Sequence, residues 1–228
     1  MMILASSSPR RRVLLSRLIP TFDIFSPDID ETPRHNETPT AYVRRMAAEK
    51  AFAGGIGRLM AGTIDTPAGG YAVVLAADTI VISPNGQQIL GKPAAPDEAW
   101  QTLRMLRGQT HTVCTAVHVE CFSRRMSGSI QTSDAAELVQ TRVTMRHYTD
   151  DEIAAYIDSG DWRDKAGGYA IQHAGFHPVA HIEGCFTNVV GLPVCAVKRA
   201  LDALEVAPDD LSIPFHDVCD CAPEFPAD

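Results

Sequence analysis

The sequence is short of positive charge, and of lysine above all: only four of its 20 basic residues are lysines (Lys50, Lys92, Lys165 and Lys198). Against 28 acids this leaves a formal net charge of −8. Such a chain lacks the positive field that polymeric nucleic acid or an anionic membrane surface requires, so neither is an expected partner. Nor is there an apolar run approaching the roughly 18 residues of a membrane span. The chain also lacks the order of an export leader, which places positive charge before its apolar segment. Here the apolar start MMILA precedes Arg10, Arg11 and Arg12. No pair of the six cysteines has CxxC spacing. The expectation is a cytoplasmic protein with reduced thiols. The stretch His216–Cys221 imitates a metal site but offers too few soft ligands to close around zinc.

What is present describes an ordinary globular chain, 45% hydrophobic and 21% charged. The charge is uneven. From Glu205 onward there are seven acids and no Lys or Arg, which leaves only −1 on residues 1–204. The expected organisation is one body over 1–204 and an acidic, Pro-containing tail over 205–228.

A strand near Met2–Ala5 feeds a helix capped by Ser8 with Pro9 at its first position, carrying Val13, Leu14 and Leu18 and stopped by Pro20. Phe22 to Phe25 predicts a second strand. Thr38–Pro39 opens a helix expected to reach about Phe52, and the six glycines between Gly54 and Tyr71 predict a flexible loop. Val73–Ile82 reads as a strand buried on both faces. Asp97 and Glu98 open a further helix closed by Gly108. Alternation predicts strands over Thr112–Glu120 and Val139–Met145, separated by a polar insertion from Phe122 to Ala136. Thr149 to Glu152 is a capping box, and Pro193 begins a last helix. The predicted class is α/β, a mixed twisted sheet flanked by helices.

Three features point to chemistry. Asp78 interrupts an apolar strand, and an unpartnered buried carboxylate is costly. Either it marks a strand end or bulge, or it lines a cleft, binding a cation or activating water. Lys50 falls on the apolar stripe of Val43, Met46 and Ala47. It either snorkels from the helix edge or supplies a compact ammonium where a planar guanidinium would not serve, a charge suited to phosphate oxygens. Ser6–Ser7–Ser8–Pro9–Arg10–Arg11 joins a strand to a helix N-terminus, an anion site in such a setting and otherwise a solvated face. Leu90–Gly91–Lys92–Pro93 is a turn that can aim a second ammonium. In Asp164–Gln172 two glycines permit close backbone approach, and the amide of Gln172 can read a base edge or simply stand exposed.

Taken in order, LASSSPRR, DETP followed by YVRRMAAEKA, AADTIV, LGKP, DKAGGYAIQ and NVVGLP resemble the Maf (septum-formation) family of nucleoside triphosphate pyrophosphatases across residues 3–204. The resemblance implies two lobes with a cleft, as in inosine triphosphate pyrophosphatases. It also implies hydrolysis of a nucleoside triphosphate to monophosphate and pyrophosphate with Mg²⁺ or Mn²⁺. Asp78 matches the catalytic carboxylate. Arg10, Thr79 and Gln172 fall on positions for base specificity, and AIQ resembles the subgroup acting on dTTP and UTP. Ser8, Arg11, Glu31, Lys50, Lys92 and Lys165 fall on the remaining polar positions, with Glu31 and Asp78 as metal ligands. A homodimer is left open. The pattern departs at His173, where the family usually has glycine, in the two long insertions, and in the tail. The rival readings are a non-catalytic nucleotide-binding regulator of cell division and a nucleic-acid binder using Arg10–Arg12.

Overall fold

The structure, a computed structural model, describes residues 1–60, 71–124 and 129–206. β1 (Met2–Ala5) gives way at once to α1 (Pro9–Ser16). Ser-Pro makes the break. Ser8 is extended and its hydroxyl accepts from the Arg11 N–H, while Pro9, with no N–H to satisfy, takes the first helical position. Leu14, Leu15, Leu18 and Ile19 then bury, whereas Val13 stands exposed. The inner face of α1 therefore runs three, four and seven residues on from Arg11, which is itself turned inward.

β1 lies between β2 (Asp23–Phe25) and β3 (Tyr71–Ile82), parallel to both. The short β4 (Ile89–Leu90) folds back on the far end of β3. From β3 the sheet continues antiparallel through β5 (Thr110–Arg124), β6 (Ile130–Met145) and β7 (Val179–Glu183), seven strands in all. This is the mixed sheet flanked by helices that the sequence predicts.

Alternation along β3 divides its side chains between two faces. Val73, Leu75 and Ala77 pack with Leu14 and Leu15 of α1 and with Val197 and Leu201 of α6 (Val194–Ala203). Farther along the same face, Val81 joins Leu103 of α3 (Pro96–Leu106) and Tyr156 of α4 (Asp150–Ser159) in a second cluster. Thr79 falls between these two clusters. On the opposite face Val74, Ala76 and Ile80 bury against α2 (Pro39–Met60) through Ala51, Ala47 and Val43. The capping box forms as expected, with Thr149 and Glu152 each satisfying the other's backbone N–H, and Gly160 ends α4 at φ 75°.

Two expectations need correction. α2 does not stop near Phe52 but continues through Gly54 and Gly55 to Met60. Those glycines serve proximity, not mobility. A Cβ on Gly54 would lie 3.0 Å from that of Ala5, and one on Gly55 would overlap the ring of Phe122. Helix backbone meets sheet there with no room for a side chain. Positions 61–70, the rest of that expected loop, lie outside the described residues. The polar insertion from Phe122 to Ala136 is largely strand as well. β5 and β6 pair without interruption from Thr110↔Thr144 to Arg124↔Ile130. Backbone hydrogen bonds make an antiparallel ladder whatever the polarity of the side chains, so composition misread it. Residues 125–128 and the tail from 207 lie outside the described residues. Among the described residues no helix is long and apolar enough to cross a membrane.

Candidate functional site

A cleft of about 960 Å³ opens over the middle of β3. Its lining includes Ser8, Arg10, Arg11, Glu31, Lys50, Asp78, Thr79, Lys92, Lys165 and Gln172, every polar position singled out in the sequence.

Asp78 sits mid-strand, its backbone in unbroken register with Ala116 of β5, so neither a strand end nor a bulge accounts for it. Its side chain is only 13% exposed, and its partner is Lys50, whose Nζ lies 2.7 Å from Asp78 Oδ1. The same ammonium is 2.7 Å from Glu31 Oε1. Lys50 is thus held between two carboxylates, a more specific position than the phosphate contact expected of it. Burial alone would raise the Glu31 carboxyl. The hydrogen bond and charge of Lys50, then the charges of Lys92 and Arg11, outweigh it and bring the carboxyl below its ordinary value.

Glu31 comes from an irregular segment, and α2 fixes that segment in place. Arg45 grips Glu37 with two bonds of 2.6 and 2.7 Å, and its Nη2 also donates to the Thr32 carbonyl. The Tyr42 hydroxyl donates to the Glu31 carbonyl at 2.9 Å. Burial, then the charges of Asp78 and Glu31, push that phenol up to about 12, so it remains a donor.

Thr79, the next residue along β3, turns to the other face and is held differently. Arg11 donates from Nη2 to Thr79 Oγ1 (3.0 Å), from Nε to the Gly191 carbonyl (2.8 Å) and from Nη1 to Ser6 Oγ (3.3 Å). A flat guanidinium so joins three separate chain segments. Burial lowers the pKa of Arg11 from its ordinary value, with the charge of Asp78 opposing. Thr79 and Thr115 of β5 share a hydroxyl–hydroxyl bond of 2.9 Å. Asn188, in α5 (Phe186–Val190), donates to the Val113 carbonyl at 3.0 Å and to Thr141 Oγ1 at 2.8 Å. Sequence reasoning gave Thr115, Asn188 and Gly191 no role. The motif NVVGLP carried the signal for the last two, and only a neighbour across the sheet could reveal Thr115.

The remaining lysines of the cleft, Lys92 and Lys165, stand on two loops that touch. Gly167 N–H donates to the Gly91 carbonyl at 3.0 Å, docking the turn after Lys165 onto the turn before Lys92. Gly167 and Gly168 have φ of 71° and 68°, and a Cβ on Gly168 would stand 3.0 Å from Pro93 Cγ. Neither place tolerates a larger residue. Lys165 is held by the carbonyls of Asp161 and Arg163. Burial, and next the charge of Arg10, lower its pKa. Two cations near enough to disfavour each other suit an anion between them. Beneath this turn Tyr169 bonds His111 Nε2 at 2.7 Å, and burial drives that imidazole down to about 4. Gln172 is exposed on the cleft wall, not buried.

Among the described residues no group of three or more His, Cys, Asp and Glu gathers around one point. Asp78 and Glu31 do converge, since both reach Lys50 Nζ. Two carboxylates, completed by phosphate oxygens and water, form the hard-oxygen set that Mg²⁺ accepts. The donors present therefore fit a divalent cation brought in with a phosphorylated substrate.

Comparison with known proteins adds independent findings. Residues 1–204 match the family model described as Maf-like protein. The chain is 43% identical over 206 residues to a dTTP/UTP pyrophosphatase of Cereibacter sphaeroides, covering 90% of this chain and 95% of that one. It is 41% identical over 209 residues to the protein of the same name from Pseudoalteromonas atlantica, covering 91% and 98%. Among solved structures, the Ham1 protein of Staphylococcus aureus matches 79% of this chain and 80% of its own at 11% identity and a TM-score of 0.35. That last likeness is too low to carry an argument.

Proposed function

The chain belongs to the Maf-like family, and on that premise we propose that it hydrolyses dTTP- and UTP-type nucleotides to the monophosphate and pyrophosphate. The observation that carries the reading is the convergence in one cleft of two carboxylates and three of the four lysines, from segments scattered along the chain. Relatives above 40% identity bearing the name dTTP/UTP pyrophosphatase support it. The regulatory alternative is not favoured, because the polar residues it could dispense with are all turned to the same cleft.

In this reading water attacks the α-phosphorus and the bond to the α,β-bridging oxygen breaks. Pyrophosphate departs with that oxygen and the water's proton passes to a base. Asp78 is that base, or orients the water for it. Asp78 and Glu31 would hold a divalent cation, which would supply Lewis-acid polarisation of phosphate oxygen. Lys50 joins the two carboxylates and holds that of Glu31 below its ordinary value. Arg10, Lys92 and Lys165, with the backbone N–H groups of the Ser8 turn, hold the triphosphate. Gln172 presents a paired donor and acceptor to the base edge. Because phosphoryl chemistry asks mainly for positioning and charge neutralisation, this inventory suffices.

The test is pyrophosphate release by the purified chain across the common nucleoside triphosphates with Mg²⁺, Mn²⁺ and then EDTA. Turnover of dTTP and UTP that EDTA abolishes is the expected result. Nucleotide binding with no turnover in either metal would restore the regulatory alternative.

A further inference from the structure

The residue after Gln172 is His173, and its ring is built into the turn that carries Gln172. Gly175 N–H and Phe176 N–H both donate to His173 Nδ1, at 3.2 and 2.9 Å. An atom that accepts two N–H groups holds no proton, so the ring's proton is on Nε2, which lies 3.3 Å from Asp161 Oδ2. The backbone closes around the same residue: its N–H donates to the Ala170 carbonyl and its carbonyl accepts from His177 N–H, each at 3.2 Å. Tyr156 of α4 completes the seat. Its ring meets the imidazole edge-on at 4.9 Å, stacks on Phe176 at 4.5 Å, and its hydroxyl accepts from Ala170 N–H at 2.9 Å.

We propose that His173 is a positioning residue for base recognition, its Nδ1 fixing the 170–177 turn so that the Gln172 amide stands at one place on the cleft wall. The proposal rests on the pyrophosphatase reading and on Gln172 as the base reader. The essential element is an acceptor one bond beyond Cγ, directed at the N–H groups two and three residues on. Asparagine offers the same, because its Oδ1 is bonded to Cγ as Nδ1 is in histidine, and Asx turns use that geometry. Phenylalanine preserves the ring against Tyr156 but turns a C–H toward two N–H donors. Glycine removes both acceptor and ring and frees the backbone.

The experiment measures kcat and KM for dTTP, UTP and dCTP with the wild-type chain, His173→Asn, His173→Phe and His173→Gly. For the Phe and Gly variants the expected result is a rise of about tenfold in KM for dTTP and UTP, with kcat within about twofold and weaker discrimination against dCTP. The Asn variant is expected to restore most of the wild-type KM. A purely packing role would instead spare Phe and penalise Asn, and that order overturns the proposal, as does a wild-type KM in the Gly variant. Failure of the underlying reading is separately visible as no pyrophosphate release by the wild type. Calorimetric titration with dTTP then ranks the same four proteins, and the same order is expected.

Discussion

Asp78 and Thr79 are neighbours on one strand, yet the two sides of the sheet treat them in opposite ways. On Asp78's side charge is concentrated: one lysine ammonium is shared by two carboxylates, at 2.7 Å from each. On Thr79's side charge is spread. One guanidinium fans out over a threonine hydroxyl, a serine hydroxyl and a backbone carbonyl, none of them ionised. The contrast explains why a chain so poor in lysine keeps one at position 50. A spherical ammonium can balance two converging carboxylates, whereas a planar fork is the better brace between chain segments. Chemistry and framework are thus assigned to adjacent residues that point to opposite faces of β3 and meet in one cleft.

Substitutions can break the two sides independently. The largest effect is expected from Asp78→Asn, which keeps an acceptor for Lys50 but removes the base. Steady-state assays should show kcat lower by about 10³-fold or more, while thermal unfolding stays within a few degrees of wild type. If the Asn variant turns over normally, the charged side is not where the chemistry lies. Arg11→Lys comes next and should damage the frame. Lysine cannot reach Gly191, Thr79 and Ser6 together, so urea unfolding should register a loss of about 2–3 kcal/mol. kcat/KM should fall with it, because the cleft walls lose their tie. The smallest effect is a displacement in pH. Lys50 is the main group holding Glu31 below its ordinary value. Without that cation a carboxyl stays protonated to higher pH, so in Lys50→Met the acid limb of the kcat/KM profile should move to higher pH. An unmoved limb would mean that neither carboxylate governs it.

The sequence showed most plainly what is decided locally. Ser8–Pro9, the Thr149–Glu152 box and Gly160 each act within one helical turn, and each is found in its predicted part. The end of α2 was hidden because the need for Gly54 and Gly55 comes from Ala5, Val74 and Phe122, residues far away in sequence. Site residues were recognisable by type: a carboxylate in an apolar strand, a lysine on an apolar stripe. Their grouping was not, since Lys50 and Asp78 are 28 positions apart and nothing in either helical or strand periodicity relates them. The ordered motifs supplied that connection, and lysine scarcity sharpened it. Lys50, Lys92 and Lys165 line the cleft, while Lys198 pairs with Asp202 one turn along α6.

The bond from Arg11 to the Gly191 carbonyl spans 180 positions, most of the described chain. During synthesis Arg11 leaves the ribosome 180 positions before Gly191. β3 can therefore pair with its neighbours long before the cleft has both its walls. Long-range closures of this kind are slow to form and come late. The two walls of the cleft can thus be tied together only after the 180 positions between Arg11 and Gly191 have been made.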